Sequence, residues 1–198
     1  MRFFDELGKR KAEIVSAALK IADKCGIKGI TTKRIAHEVG VVESSLYRHV
    51  SSKTEIFLMI IELAERLIAK TFKKLEGTPE EKLKELLLYI GDFLEDFPGI
   101  YRIIFSDELY TESPDLFEKF RSFTLSLAKR IESVLREGMR EELFRKDLDL
   151  EVATFIFLGI IDTSFSLWNF IYERKQPLRE LMRRFFNLYL ISVKEVKA

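Results

Sequence analysis

One cysteine, two histidines and three side-chain amides are all that the 198 residues hold of those types. With Cys25 alone no disulfide forms within the chain, which suits a reducing compartment and sets a cytoplasmic location as the expectation. His37 and His49 beside one cysteine are too few for a metal cluster. No nucleophile stands at a readable spacing from a base, so neither an enzyme nor a metal or other cofactor is expected. Asn169, Gln176 and Asn187 are the only amides among 33 Lys+Arg and 32 Asp+Glu, a balance common in thermophile proteins. The opening MRFFDELGKRK places charges where an export segment is apolar. β-branched residues nowhere gather into alternating runs, which argues against a sheet protein.

What is present is apolar spacing of helical period. Apolar residues make up 47% and charged residues 33%, enough for a core and for solubility, in a length that fits one large domain or two small ones. In KRKAEIVSAALKIADKCG, Ile14, Ala17, Ala18, Ile21 and Ala22 fall on one stripe and Gly26 stops the helix. In TTKRIAHEVG, Thr31 or Thr32 caps, Ile35, Ala36 and Val39 face inward, and Gly40 ends the helix. SSKTEIFLMIIELAERLIAKTFKKLEG reads as a long helix opened by a capping box of Ser52 and Glu55. After GTPEE at 77–81, helices are expected up to Pro98-Gly99, near 100–110, near 114–140, near 149–174, and from about Pro177 to the end. The fold class is therefore all-α, with roughly nine helices.

The net charge of +1 conceals a gradient: residues 1–53 carry +5 and residues 54–198 carry −4. A basic first quarter on an acidic remainder points to a polyanion meeting the first part only. The stretch GVVESSLYRHVSSK, 40–53, is strongly polar within this apolar chain. On a helix, Val42, Leu46 and Val50 share the face that packs on Ile35 and Val39. Glu43, Ser44, Tyr47 and Arg48 then point outward, with Ser45 and His49 on the flanks. Two short helices joined by a tight turn at Gly40-Val41 make a helix-turn-helix, whose second helix fits the major groove. Arginine donates two bonds to guanine, and tyrosine and serine reach phosphates or base edges. On this pattern alone, a polar helix pair on the surface of a bundle stands beside the DNA reading.

From Lys11 to Phe57 the chain resembles the DNA-binding domain of the TetR (tetracycline repressor-like) family of transcription regulators. The resemblance is carried by an Ala-rich first helix ending at Gly26, threonine before a short helix containing Ile35-Ala36, Gly40-Val41 at the turn, Leu46-Tyr47 in the recognition helix, and Lys53 opening a long fourth helix. The rest of the chain matches in helix pattern only. The resemblance implies an N-terminal helix-turn-helix domain over 1–52 and a C-terminal ligand-binding and dimerisation domain over 53–198. It implies a sequence-specific regulator of transcription, a dimeric repressor released by a small, mostly apolar ligand. It places Thr31 and Thr32 at phosphate, Lys33 at phosphate or a base edge, and Glu43, Ser44, Ser45 and Arg48 in the groove. Tyr47 and His49 match the pair that grips backbone phosphates, and Lys53 meets phosphate where free helix-end N–H groups also favour it. Glu43 repels phosphate, so it either reads a cytosine amino group or orients Arg48. Val42 replaces the serine or threonine that often caps the third helix in the family, Ser44 stands where glycine, alanine or proline is frequent, and Val50 replaces a common phenylalanine.

One short helix reads too few bases to find an operator, so two copies must be held about 34–36 Å apart on successive major grooves. VATFIFLGIIDTSFSLWNFIY, 152–172, has one charge, Asp162, and suits burial against the body and a second subunit. A membrane span is the lesser reading, because its hydroxyl, amide and carboxyl groups are costly in lipid. LRELMRRFFNLYLISVKEV supplies an amphipathic partner with Leu181, Phe185, Leu188 and Ile191 at helical spacing, so a homodimer through the last two helices is expected. Phe93, Tyr101, Phe105, Phe120, Phe123, Phe157, Phe165 and Trp168 are candidates for lining an apolar effector pocket, although aromatics at helical spacing also serve as plain core. Asp162 in its apolar helix needs either a structural partner or a cationic ligand. A helical adaptor that has lost DNA binding is the competing reading from another class.

Overall fold

The computed structural model describes Phe4 and residues 6–194. Among the described residues the chain forms ten α-helices and no strand beyond one isolated bridge between Phe144 and Lys194. They are α1 (Lys9–Cys25), α2 (Thr32–Val39), α3 (Glu43–Leu46), α4 (Lys53–Phe72), α5 (Pro79–Asp96), α6 (Pro98–Ile104), α7 (Asp107–Glu112), α8 (Pro114–Arg140), α9 (Leu150–Ser166) and α10 (Leu178–Val193). The all-α class stands. The single helix expected near 100–110 is two, because the Ser106 hydroxyl accepts the Leu109 N–H and starts α7 afresh. All four prolines lie at helix starts, where a missing N–H costs nothing: Pro79, Pro98 and Pro114 open α5, α6 and α8, and Pro177 precedes α10. The final helix stops at Val193, and the last four residues of its expected span lie outside the described residues.

By packing, the chain divides into two compact units, residues 1–67 with 97–123, and residues 68–96 with 124–198. In the first unit, α1 lies along α6 and α2. Its stripe is buried as the periodicity requires, and Ile14, Ala17, Ala18, Ile21 and Ala22 pack with Ile30, Ile35, Ile56, Phe57 and Ile60 in the core. Backbones approach closely where α6 crosses α1: a Cβ on Gly99 would sit 2.0 Å from the Leu19 carbonyl oxygen. Tyr110 closes the far end of α6, its hydroxyl donating to the carbonyls of Ile103 (3.2 Å) and Ile104 (2.8 Å) while its ring stacks on Phe120. Those carbonyls have no partner within the helix, so the hydroxyl satisfies them, and burial pushes its pKa above the ordinary tyrosine value.

In the second unit, α10 packs on α5 and α9. The Tyr189 hydroxyl donates to the Ala153 carbonyl at 3.0 Å, its ring meets Phe157 edge-on, and a Glu95 carboxylate oxygen accepts the Leu178 N–H that opens α10. The helix beginning at Leu150 continues as a π-helical turn through Ile171, and Trp168 Nε1 donates to the Gln176 carbonyl beyond it. By length and composition alone, Leu150–Ile171 could cross a membrane. It is nonetheless two-faced: Ala153, Phe157, Ile160, Ile161 and Phe165 are buried, whereas Val152, Phe155 and Ile156 are exposed. The face expected of α10 divides in the same way. Leu181 is buried and Phe185 half-buried, but Leu188 and Ile191 are 68% and 72% exposed. At 100° per residue the last two rotate away from the inward row of Met182, Phe186, Tyr189 and Val193.

Gly99→Ala is expected to unfold more easily by about 2 kcal/mol, because the added methyl meets backbone that cannot step aside; thermal denaturation reads it directly. The start of α4 gives a pH dependence. The Ser51 N–H and hydroxyl, with a smaller contribution from Lys11, hold Glu55 below its ordinary 4.5. A carboxylate with a lowered folded pKa contributes stability that is complete above the unfolded value and is lost as pH falls through the folded one. Melting curves of wild type and Glu55→Gln should therefore converge as pH falls below 4.5.

Candidate nucleic-acid interface

Two short helices and a left-handed glycine build the site. The Thr31 hydroxyl accepts the Arg34 N–H at 3.2 Å and caps α2, while Thr32, one residue inside, donates its hydroxyl to the Glu43 carboxylate. At the far end Gly40 takes φ +76°, which a side chain would strain, and its N–H together with that of Val41 satisfies the last carbonyls of α2. The chain then turns into α3, a single turn. The segment that follows stays coiled through the bonds from His49 N–H to the Leu46 carbonyl (2.9 Å) and from Val50 N–H to the same oxygen (3.2 Å). Leu46 and Val50 are buried, as their spacing requires.

Val42 is not. It was expected on the inward face with Leu46 and Val50, but it is 68% exposed. The helix starts one residue later, so Val42 occupies the N-cap with extended backbone (φ −74°, ψ 148°) and lies off the helical face. It makes no side-chain cap, which costs about 0.5–2 kcal/mol relative to serine or threonine there. Glu43 also departs from expectation. Its carboxylate is drawn to Thr32 rather than to Arg48, whose guanidinium donates instead to the Ser45 hydroxyl at 3.2 Å. At α4, Ser52 caps as expected by accepting the Glu55 N–H, but the Glu55 carboxylate reaches one residue further back, to the N–H and hydroxyl of Ser51 (2.6 and 2.8 Å). Lys53 follows, exposed at the helix start, with its ammonium 5.6 Å from the Phe57 ring centre.

The ten expected DNA-contacting residues thus fall on one continuous stretch of backbone turns, from the cap of α2 to the start of α4. Thr31, Lys33, Glu43, Ser44, Tyr47, Arg48, His49 and Lys53 are exposed, and Thr32 and Ser45 half-buried. The sequence reading missed Arg10. Folding carries it from the start of α1 to a groove of about 240 Å³ shared with Ile14, Val39, Val41, Ser45, Leu46, Arg48 and His49. Only the charge surplus of residues 1–53 hinted at it.

The residues proposed for an effector pocket divide between the units. Tyr101, Phe105, Phe120 and Phe123 belong to the first, where Tyr101 stacks on the exposed Phe105. Phe93, Phe157, Phe165 and Trp168 are buried in the second, with Phe165 and Trp168 in ring contact. Asp162 is half-buried on α9 rather than sealed in the core. Nearby in sequence, the hydroxyls of Thr154 and Ser164 are buried without a hydrogen-bond partner.

Residues 14–60 match the model of bacterial regulatory proteins of the tetR family, and residues 76–168 match the model of a tetracyclin repressor-like C-terminal domain. The nucleoid occlusion factor SlmA of Alteromonas mediterranea is 32% identical over 140 residues, covering 69% of this chain and 70% of the relative. Among solved structures, the fatty acid degradation regulator FadR of Bacillus halodurans superposes with a TM-score of 0.79 at 22% identity, covering 93% of this chain and 96% of that one. FadR of Bacillus subtilis, solved with stearoyl-CoA, gives a TM-score of 0.75 at 19% identity over 90% and 96% of the two chains. The helix-turn-helix geometry and these matches together make the chain a member of the TetR family of DNA-binding transcriptional regulators.

Proposed function

We propose that this chain is a cytoplasmic, dimeric, sequence-specific repressor that leaves its operator when a small, mostly apolar ligand binds. The observation that supports it most is that eight of the ten polar side chains on and around α3 are exposed and two half-buried while Ile35, Ala36, Leu46 and Val50 stay buried. In this reading residues 1–52 read DNA and residues 53–198 dimerise and bind the ligand. Arg48, Glu43, Ser44 and Ser45 face base edges. Thr31, Thr32, Lys33, Tyr47, His49 and Lys53 take phosphates, joined by Arg10 from the groove beside Arg48 and His49.

The second copy docks on the exposed apolar residues Val152, Phe155 and Ile156 of α9 and Leu188 and Ile191 of α10. Water-facing aliphatic and aromatic side chains in that number suit an obligate contact, and the same contact accounts for an apolar helix without a membrane. The ligand belongs among the buried aromatics of the second unit, Phe93, Phe157, Phe165 and Trp168. The unpartnered hydroxyls of Thr154 and Ser164 offer it hydrogen bonds. To release DNA it must bind one state of the dimer more tightly than the other, and α4, which runs from the helix-turn-helix into the second unit, is the element to carry that difference. The name of the sequence relative supports a second reading, in which the chain acts at the nucleoid rather than at a promoter.

Selection from a random duplex library is expected to yield a palindrome. Arg48→Ala should relax base preference at one position per half-site, costing about 1–3 kcal/mol, and Lys53→Ala should weaken all sequences alike and reduce the salt slope by about one. Leu188→Glu should give monomers that no longer bind the palindrome. Recovery of no duplex at low salt would leave only the adaptor reading, and selected sites lying away from promoters would favour the nucleoid reading. For the effector, stearoyl-CoA is the first probe: it should displace the operator and shift the emission of Trp168, the sole tryptophan. Emission and DNA affinity that both stay constant through saturating probe would exclude that ligand class.

A further inference from the structure

We propose that Val42 is a base-reading residue that selects thymine through its C5 methyl group in the major groove. The inference rests on the DNA-binding reading of the helix-turn-helix and adds to it one residue and one base. A single exposed aliphatic side chain is ordinary on a protein surface, so exposure alone decides nothing. The position decides. Val42 sits at the N-terminal end of α3, the end of a recognition helix that meets base edges. α2 and α4, which flank it in sequence, are capped by Thr31 and Ser52, whereas α3, like α1 at Gly8, begins on a residue whose side chain accepts no hydrogen bond, and unlike Gly8 it adds an exposed apolar side chain there. A local rule is broken at a functional edge with no gain in packing, the pattern expected where function sets the residue.

The surroundings leave Val42 as the apolar tip of that edge. Val41 turns to the groove with Ile14 and Leu46, the Glu43 carboxylate is held back by Thr32, and Ser44 beyond it is exposed and polar. Of the groups that base pairs present in the major groove, the thymine methyl is the apolar one. Two valine methyls placed against it exclude water from both surfaces. Placed against a cytosine amino group they strip its water and return no hydrogen bond. Selectivity for thymine therefore follows from the side chain having no polar atom.

The test uses the operator that the wild-type protein selects. Each symmetric pair of thymines is replaced in turn by deoxyuridine, which removes the methyl and leaves the hydrogen-bonding edge intact. Affinity is measured for wild type, Val42→Ala and Val42→Ser. One pair should cost the wild type about four-fold per half-site and about fifteen-fold together. At that pair alone Val42→Ser should be insensitive and Val42→Ala, which keeps one methyl, less sensitive than wild type. Val42→Ser should also melt at a higher temperature than wild type, because it gains the missing cap. A structural role for Val42 predicts no link to any one base. Equal uridine sensitivity in wild type and variants, or no pair costing the wild type more than about two-fold, would overturn the proposal while leaving DNA binding intact. A wild-type protein that selects no operator would overturn the DNA-binding reading, and this inference with it.

Discussion

A helix of one turn does not stay formed by itself. Nucleation is unfavourable by roughly three powers of ten, or about 4 kcal/mol, and α3 has no length over which to recover it. Everything around residues 40–53 acts against that deficit. Burial of Leu46 and Val50 offsets about 2 kcal/mol each. The left-handed turn at Gly40 ends α2 without strain and sets the entry angle, and the bond from Thr32 to Glu43 ties the starts of the two helices together. The Ser52 cap and the Ser51–Glu55 bonds fix the exit into α4. With its backbone held from both sides, α3 keeps almost no inward residues of its own, and its remaining positions are free to carry groups chosen for the groove.

The same economy explains why α1 and α6 share a unit. The head alone is small, and a small domain buries too little surface to be firmly stable. Packing α6 on α1 at the distance Gly99 permits, and closing α6 with the Tyr110 hydroxyl, gives the first unit a core deeper than three short helices provide. In the second unit the constraint runs the other way. One row of α9 and one row of α10 satisfy the core, and the apolar side chains left over face water.

Much of this was legible in the sequence because burial imposes a period on it. The stripe of α1, a threonine cap at 31 or 32, the stop at Gly40 and the paired anchors Leu46 and Val50 all follow from local spacing; the outward positions of residues 43–49 are those that spacing leaves over, and Thr31, Thr32, Lys33 and Lys53 join them only through the family resemblance. What could not be read depends on where a helix begins by one residue, or on where a remote segment lands. Val42 has the right interval from Leu46 to face inward, but α3 starts at Glu43 and leaves it at the cap position, as the family resemblance and not the spacing places it. Glu55 bonds Ser51 rather than Ser52, a shift of one residue that a capping-box pattern does not resolve. Arg10 reaches Arg48 and His49 only through the packing of α1. The aromatic set looked like one pocket because sequence lists side chains without placing them, and Tyr101 and Phe105 stack with each other in a unit apart from Phe157 and Trp168.

The exposed apolar groups of α9 and α10 differ from Val42 in their arrangement. On α9 and α10 they recur every three or four residues, so that each extends the surface of the last, and the row suits the second copy proposed above. Val42 stands alone, followed in sequence by Glu43, Ser44 and Ser45. No protein surface of useful area can be built on one valine among polar groups. A base edge can meet it, because there too a single methyl lies among donors and acceptors. Periodicity thus distinguishes the surface proposed for a second polypeptide from the side chain proposed for a nucleotide, by the same reasoning that separates core from solvent along each helix.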